Sequence, residues 1–441
     1  YRMPFLKDLR ANLNLGYDIS KSDGDVIIMD NSPMSYTWGD YKAGWGENTT
    51  YSQLKRNTLL DFYLNYAKEV GIHNFDVMGG YSWQRFYNET DNSYPYSAAK
   101  ATETGNEFYK EPNDYSTENY VVSFFGRLNY SLLDRYLMTF TLRNDGSSRF
   151  SPDNQWGLFP SAALAWKIIN EPFMEDAGNV MSDLKLRLGY GKTGNSAVNP
   201  YQTIGQISSS RYTWGEIGAI GYAPNSLSNP LLTWETTGQY NLGVDFGILR
   251  GRISGSIDVY KQNTKDLLMF RALPEVSGFG QILSNIGETE NQGIEVAIST
   301  VNFETKDFKW NTSLQFSMNK EKIVKLASGL EKDVANMWFV GHPVDTYYDY
   351  VNTKNVWGYS KEDMEEMAKF NANGHSYKPG DLRFVDLDGN YKIDEKDRDF
   401  RGQKMPKWNL GMGNNFYYKN FDLYIFMYGM FGHTIYSDPG V

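Results

Sequence analysis

The sequence predicts an all-β protein that crosses a bilayer with its strands: a transmembrane antiparallel β-barrel, or part of one. Three observations carry this. Apolar and polar residues alternate with period two over stretches long enough to span a membrane. No apolar run approaches the ~20 residues that a transmembrane helix needs. The connections between alternating stretches are mostly long after odd-numbered ones and short after even-numbered ones, the asymmetry of outer-membrane barrels.

The alternation is clearest from Tyr120 to Leu132. Tyr120, Val122, Phe124, Gly126, Leu128, Tyr130 and Leu132 hold the even positions; Val121, Ser123, Phe125, Arg127, Asn129 and Ser131 lie between them. After Leu133-Asp134-Arg135 the pattern resumes with Tyr136, Met138, Phe140 and Leu142 against Thr139, Thr141, Arg143 and Asp145. Each arm exceeds the usual strand of about five or six residues and reaches the roughly 9–11 that a tilted strand needs to cross a bilayer.

The other elements follow in order. Leu9 to Tyr17 is the first strand, then a polar segment runs to about Asn57. Leu60–Tyr66 and Phe75–Trp83 form a pair, and a polar loop covers about 87–118. Beyond the central hairpin come Trp156–Ile168 and Leu184–Tyr190, then a loop over about 195–235 with Pro200, Pro224 and Pro230. Tyr240–Ile248 turns at Arg250-Gly251 into Ile253–Val259, followed by a loop near 262–291. Ile294–Ile298 and Phe308–Met318 precede the largest insertion, about 320–404, and the last pair is Trp408–Phe416 and Phe421–Met427. The exceptions to loop parity are the modest loop after the fifth strand and the longer link after the sixth. The count is thirteen, with long loops assigned to the extracellular side. Bacterial single-chain barrels have even strand numbers, and an open edge cannot sit in lipid. The final SDPGV forms no strand, so the chain is expected to be a fragment of a larger barrel.

Composition narrows the function. Of 441 residues, 41% are hydrophobic and 16% aromatic, enough for interfacial girdles, for carbohydrate stacking, or for a sandwich core. There is no Cys, which removes disulfides and thiolate chemistry. A net charge of −10 argues against nucleic acid, which calls for a basic surface. The opening YRMPFLKDLR contains no charged-then-apolar leader. No repeat of fixed period points to a propeller or solenoid.

Several segments resemble the SusC/RagA family of TonB-dependent outer-membrane transporters. They are FFGRLNYSLLDRYLMTFTLRNDGSSRF, WGLFPSAALAWKI, LKLRLGYGKTGN, NPLLTWETTGQYNLGVDFGIL, GRISGSIDVYKQNTKDLL, NIGETENQGIEVAIST, FKWNTSLQFSMNKEKIVKL, PGDLRFVDLDGNYKID and KNFDLYIFMYGMFG. They keep the family's order from about residue 120 to 436, with a weaker fit before. The resemblance implies a 22-stranded barrel, a known size class with a plugged lumen, closed by an N-terminal plug. It also implies a SusD-like surface lipoprotein that captures glycan or peptide, and energy delivered by TonB through a box ahead of the plug. Plug domain, TonB box and the remaining strands are expected to lie outside this sequence.

Candidate chemistry is sparse. Asp386, Asp388, Asn390, Lys392, Asp394 and Asp397 occupy positions 1, 3, 5, 7, 9 and 12 of a calcium-loop pattern, with Lys392 offering its carbonyl. Position 6, where the sharp turn favours Gly, is Tyr391, and position 12 is the short Asp397; the bland reading is an Asp/Asn-rich turn. A bound Ca²⁺ would stiffen a loop and catalyse nothing; no other cofactor is expected. Asp145-Gly146-Ser147-Ser148-Arg149-Phe150 reads as a strand end and turn rather than a solute contact. Loop aromatics Trp38, Trp45, Tyr94, Tyr96, Tyr212, Trp214 and Trp338 could stack on sugar rings or pack loops together. Arg127, Arg143, Lys185, Arg187, Asp245 and Asp258 fall on the polar phase, where they would meet solute or plug. His73, His342, His375 and His433 have no metal spacing, and no nucleophile elbow or P-loop occurs, so an enzyme is not expected. The leading expectation is import of oligosaccharide or peptide across the outer membrane of a Gram-negative bacterium. The alternatives are a soluble glycan-binding β protein and a passive porin.

Overall fold

The computed structural model describes residues 6–29, 47–93, 115–214 and 217–436. Its strands, in chain order, are β1 (Leu9–Ile28), β2 (Glu47–Val70), β3 (His73–Ser93), β4 (Tyr115–Leu132), β5 (Tyr136–Ser147), β6 (Trp156–Lys167), β7 (Met181–Asn195), β8 (Ile207–Trp214) and β9 (Ile217–Pro224). They continue with β10 (Glu235–Ile248), β11 (Ile253–Ala272), β12 (Gln281–Glu304), β13 (Phe308–Lys325), β14 (Lys332–Asp333), β15 (Trp338–Phe339), β16 (Thr346–Tyr350), β17 (Asn352–Val356), β18 (Leu382–Phe384), β19 (Arg398–Gln403), β20 (Trp408–Tyr418) and β21 (Phe421–Phe431). Among the described residues one α-helix, α1 (Lys361–Ala372), lies between β17 and β18. Thirteen strands form one sheet in the order β1-β2-β3-β4-β5-β6-β7-β10-β11-β12-β13-β20-β21, an up-and-down meander; β8–β9, β14–β15, β16–β19 and β17–β18 are separate small ladders. Each of the thirteen contains one of the alternating segments read from sequence.

The strands run further than alternation of greasy residues shows, which corrects four of the loop boundaries. β1 reaches Ile28 and β2 begins at Glu47 inside the expected loop 19–57; β3 runs to Ser93 and β4 begins at Tyr115, both inside the expected loop 87–118. The expected loop 262–291 is mostly strand, and 195–235 holds the β8–β9 hairpin. The insertion at 320–404 contains β14 to β19 and α1. The cause is a change of surroundings along one face. On β3 the series Phe75, Val77, Tyr81, Trp83 continues in phase as Arg85, Tyr87 and Glu89, where Arg85 pairs with Glu118. On β11, Val259 is followed in phase by Lys261, Asn263 and Lys265, paired with Glu290 and Glu288 of β12. The ladder persists where that face stops being apolar and turns ionic.

The chain divides into two compact units. In the first, antiparallel register aligns one apolar face across β1 to β5: Leu13 opposes Phe62, Phe62 opposes Tyr81, Tyr81 opposes Phe124, and Tyr130 opposes Met138. These side chains are bare rather than packed inside. Leu15 is 72% exposed, Phe124 53% and Phe140 44%, which a water-soluble domain would not tolerate over so wide a patch. The β4–β5 turn uses left-handed Leu133 and Asp134 (φ 55° and 52°), the type I′ geometry that suits strand twist.

In the second unit β12, β13, β20 and β21 carry an apolar face of their own, where Phe316 opposes Leu410, Met412 opposes Met427 and Trp408 stacks on Phe431 at 3.8 Å. Aromatic side chains mark both ends of this belt: Trp408 and Phe431 at one, Trp310, Phe416, Tyr418 and Phe421 towards the other. Ten residue steps from Trp408 to Tyr418 make ~34 Å along the strand. A tilt near ~40° leaves about 26 Å across the membrane, matching the ~25 Å apolar band of outer-membrane barrels. One polar knot interrupts the belt. Thr312 donates to Asn414 Oδ1 at 2.7 Å, Trp310 Nε1 donates to the same oxygen at 3.1 Å, and Asn302 Nδ2 donates to Thr312 at 2.6 Å.

The insertion in this unit has its own small core. Ser360 caps α1 by accepting from Asp363 N at 3.1 Å, Glu362 and Asp363 favour the positive first turn, and Gly374 (φ 99°) follows the helix end. The helix buries Met367 and Phe370 against Trp357, with Tyr377 and Ile393 around them.

Candidate functional site

The face opposite the apolar one is polar and cross-braced. In the first unit Asn65 donates to Asp76 at 3.1 Å, Ser82 to Asp61 at 2.6 Å, and Arg127 lies 3.9 Å from Asp76. Arg143 bonds Asp145 at 2.7 Å and Ser123 at 2.8 Å, with its guanidinium 5.8 Å from the centre of the Phe125 ring. In the second unit Arg187 forks between Asp245 (2.8 Å) and Asp258 (3.0 Å), while Lys185 stands 3.6 Å from Asp245. Three strands supply this group, because residues on the polar phase of β7, β10 and β11 meet across the ladder. The sequence reading placed all six of these charged residues on the polar phase, and the structure gathers four of them into one network. Such a face is wetted and charged yet nearly balanced, suited to contact with a polar solute.

The first unit also has a buried core on the polar side. Phe150, Phe159, Val198, Leu232 and Trp234 are at most 8% exposed and pack with Leu268 and Leu283. Trp234 meets Phe150 at 5.5 Å and Phe159 at 5.3 Å, and its Nε1 donates to the Gln155 carbonyl at 2.8 Å. Gly157 and Gly194 let the rings in: a Cβ on Gly194 would lie 2.1 Å from Phe159 and one on Gly157 2.5 Å from it. Polar crosslinks surround the cluster, including Asn229 to the Leu283 carbonyl (2.7 Å) and Thr233 N to Asn285 (2.9 Å). The segments SSRF, WGLF, GKTGN and NPLLTWE, all within the quoted resemblance, therefore converge on one brace. Arg149 hangs beside it, its Nη1 donating to the Ser196 carbonyl at 3.2 Å and its Nη2 to Asn119 Oδ1 at 3.4 Å. Burial pulls its pKa down from the ordinary arginine value.

The acidic loop follows β18. One carboxylate oxygen from each of Asp386, Asp388 and Asp397 lies within 4.8 Å of the others. Asp397, fully buried, accepts from Leu387 N (2.7 Å) and Asp394 N (2.8 Å); Asp386 accepts from Gly389 N (2.8 Å) and Tyr391 N (2.7 Å). Tyr391 at the sharp turn adopts φ 58°, the left-handed conformation that glycine favours. Its ring sits 5.6 Å from Phe370 and carries Lys369 over its face at 4.9 Å, so packing on α1 offsets the backbone strain. Asn390 bonds Asp388 through Nδ2 (3.0 Å) and accepts from Lys392 N (2.7 Å). Asp394 does not join the carboxylates; it caps the turn Glu395–Asp397. The three-carboxylate face offers hard oxygen ligands of the kind Ca²⁺ takes.

Of the loop aromatics, Trp38, Trp45, Tyr94 and Tyr96 lie outside the described residues, as do the side chains of Tyr212 and Trp214. Trp338 is half-buried on β15. His342 stacks on Phe400 at 3.6 Å, inside an aromatic group with Phe339 and Tyr348 that spacing along the chain does not announce.

Comparison with known proteins matches this geometry. Residues 1–428 fit the family model described as TonB dependent receptor-like, beta-barrel. The chain is 36% identical over 448 residues to the TonB-dependent receptor SusC of Bacteroides thetaiotaomicron, covering 99% of this chain and 43% of that protein. It is also 36% identical over 410 residues to the TonB-dependent receptor P3 of Formosa agariphila, covering 89% and 40%. Among solved structures, the RagAB peptide transporter superposes with a TM-score of 0.78 at 23% identity, covering 98% of this chain and 46% of that one. The chain thus spans about two fifths of the length of the curated relatives it matches. On the match of residues 1–428, the chain belongs to the β-barrel family of the TonB-dependent receptors, with SusC among its relatives, and is an outer-membrane protein.

Proposed function

We propose that the whole protein imports an oligosaccharide or a peptide across the outer membrane, driven by TonB and assisted by a SusD-like surface lipoprotein. The observation that carries this is the two-faced sheet: a belt of bare apolar side chains faces lipid, and the opposite face is cross-braced by balanced charges that a polar solute can pass. The likeness to SusC, and to a structure described as a peptide transporter, supports the same reading. Transport rather than catalysis is the role assigned. In this reading the long connections face outwards, where the lipoprotein would dock. The test is solute uptake by cells producing the full-length protein, with and without TonB. Uptake abolished by loss of TonB is expected. Uptake that persists identifies a passive pore, and recovery of the protein as a soluble monomer removes both barrel readings.

We also propose that Asp386, Asp388, Asn390, the Lys392 carbonyl and Asp397 hold a structural Ca²⁺. The convergence of three carboxylates and the left-handed turn at Tyr391 support it. Calorimetric titration of the full-length protein with Ca²⁺ tests it, and absence of binding removes it.

A further inference from the structure

The segment after β5 carries a positive charge that no acid among the described residues offsets. On the polar face of the first unit Arg127 has Asp76 and Arg143 has Asp145, but Arg149 has no carboxylate within ion-pair distance among the described residues. Its two acceptors are neutral and lie at 3.2 and 3.4 Å, long beside the ~2.7–2.9 Å of a charge-assisted bond. Its Nε–H is buried without an acceptor. Asn119, the neighbour that Nη2 reaches, is 5% exposed, and its own Nδ2 is buried without an acceptor too.

Both deficits have the same sign. A guanidinium offers five N–H donors and no acceptor, and the unmet Asn119 atom is also a donor. A water molecule would accept from one or two of them and leave the charge as it is. An anion with several oxygens that reaches the guanidinium would supply the charge that neutral acceptors and water do not. The backbone around the arginine is pinned on both sides. Ser148 N donates to the Tyr120 carbonyl at 3.0 Å and Ser148 Oγ accepts from Tyr120 N at 2.8 Å; Phe150 is 2% exposed in the core. Asn119 is fixed in β4 opposite Phe86. The guanidinium is thus half-buried and short of a counter-charge among the described residues, beside a buried Asn119.

We propose that Arg149 and Asn119 form a recognition site for a carboxylate carried by the imported solute, either a uronate of an acidic oligosaccharide or the C-terminus of a peptide. The inference rests on the import reading above and adds a preference for acidic solutes.

The test uses the purified full-length protein in detergent and four probes: a trigalacturonate, the neutral galactose trisaccharide, a tripeptide with a free C-terminus, and the same tripeptide amidated. Affinities are measured by calorimetry for the wild type and for Arg149→Gln, Arg149→Lys and Asn119→Asp. One acidic probe is expected to bind at least tenfold tighter than its neutral twin, and which pair shows this identifies the solute class. Arg149→Gln should abolish the preference and Arg149→Lys should keep part of it. Asn119→Asp supplies an internal counter-charge, so it should remove binding of the acidic probe while raising the melting midpoint. Equal affinity for acidic and neutral twins, or an unchanged preference in a folded Arg149→Gln or Asn119→Asp protein, overturns the proposal. Should Arg149→Gln not fold, Asn119→Asp alone decides. Binding of the neutral twins only would overturn this site and leave import standing, whereas no binding by any probe together with no uptake would fail both.

Discussion

Replacing Trp234 with Ala would loosen the brace without touching the membrane-facing belt. Truncating a buried Trp or Phe to Ala typically costs 3–5 kcal/mol. Trp234 sits at the upper part of that range, being 7% exposed, in contact with two rings and hydrogen-bonded to the Gln155 carbonyl at 2.8 Å. Since each ~1.4 kcal/mol is a factor of ten, local opening becomes roughly 10³-fold more frequent or above. The place to see it is amide hydrogen exchange of the full-length protein, at Ser147 N (to the Gln155 carbonyl) and Thr233 N (to Asn285). Trp234→Phe keeps an aromatic ring but loses the indole N–H bond, worth about 1 kcal/mol, and some ring volume, so its effect should be roughly fivefold or more yet well below that of Trp234→Ala. Amides on β1 to β3 should exchange as in the wild type. If the brace amides keep their protection in Trp234→Ala, or if β1 to β3 lose theirs in step, the cluster is not an independent brace and the argument is wrong.

Phe140→Lys puts a charge on the apolar face about two turns of the pleat above Tyr136 and should cost roughly 2–4 kcal/mol of folding free energy in a bilayer. Thr139→Lys, one residue away on the polar face, should cost little; equal penalties in a lipid-refolding titration would refute the assignment of faces. Arg187→Met leaves Asp245 and Asp258 facing each other without their shared cation, and part-burial puts the loss at about 1–3 kcal/mol. Adding Asp245→Asn should recover some of it in denaturant melts, and a second loss of the same size would show that the carboxylates are not coupled. Millimolar Ca²⁺ should slow exchange at Leu387 N and Tyr391 N, and a chelator should reverse it; Asp388→Asn should blunt the response, whereas no response in the wild type would mean the loop is held by its own hydrogen bonds alone.

What could be read from the residues was phase. Period two located the core of every strand in the large sheet because lipid demands an apolar residue at every second position. Strand ends escaped for the same reason: beyond Trp83 or Val259 that demand lapses, and Arg85 or Lys261 looks like loop although the ladder continues. Asn414 was passed over within Trp408–Phe416 because a polar residue breaks the pattern, yet it is 9% exposed and bonded to two neighbours on the same face. The brace is invisible to periodicity, since Phe150, Phe159, Val198 and Trp234 come from separate segments; the motif resemblance passes through Phe150, Phe159 and Trp234 but not Val198. In the acidic loop, spacing identified the oxygen donors. It could not tell that Asp394 would be drawn off as a cap, or that Tyr391 would accept a left-handed backbone in return for its seat on Phe370.

The knot of Asn302, Thr312 and Asn414 settles something that greasiness leaves open. Sliding β13 by two residues along β20 would still present an oily side chain to every acyl tail, so hydrophobicity alone cannot choose between the two alignments. The slid alignment would separate Thr312 from Asn414 and strand a carboxamide in hydrocarbon, where no water can rescue it. These few polar atoms act as an indexing pin during insertion, selecting one alignment from a ladder of near-equals.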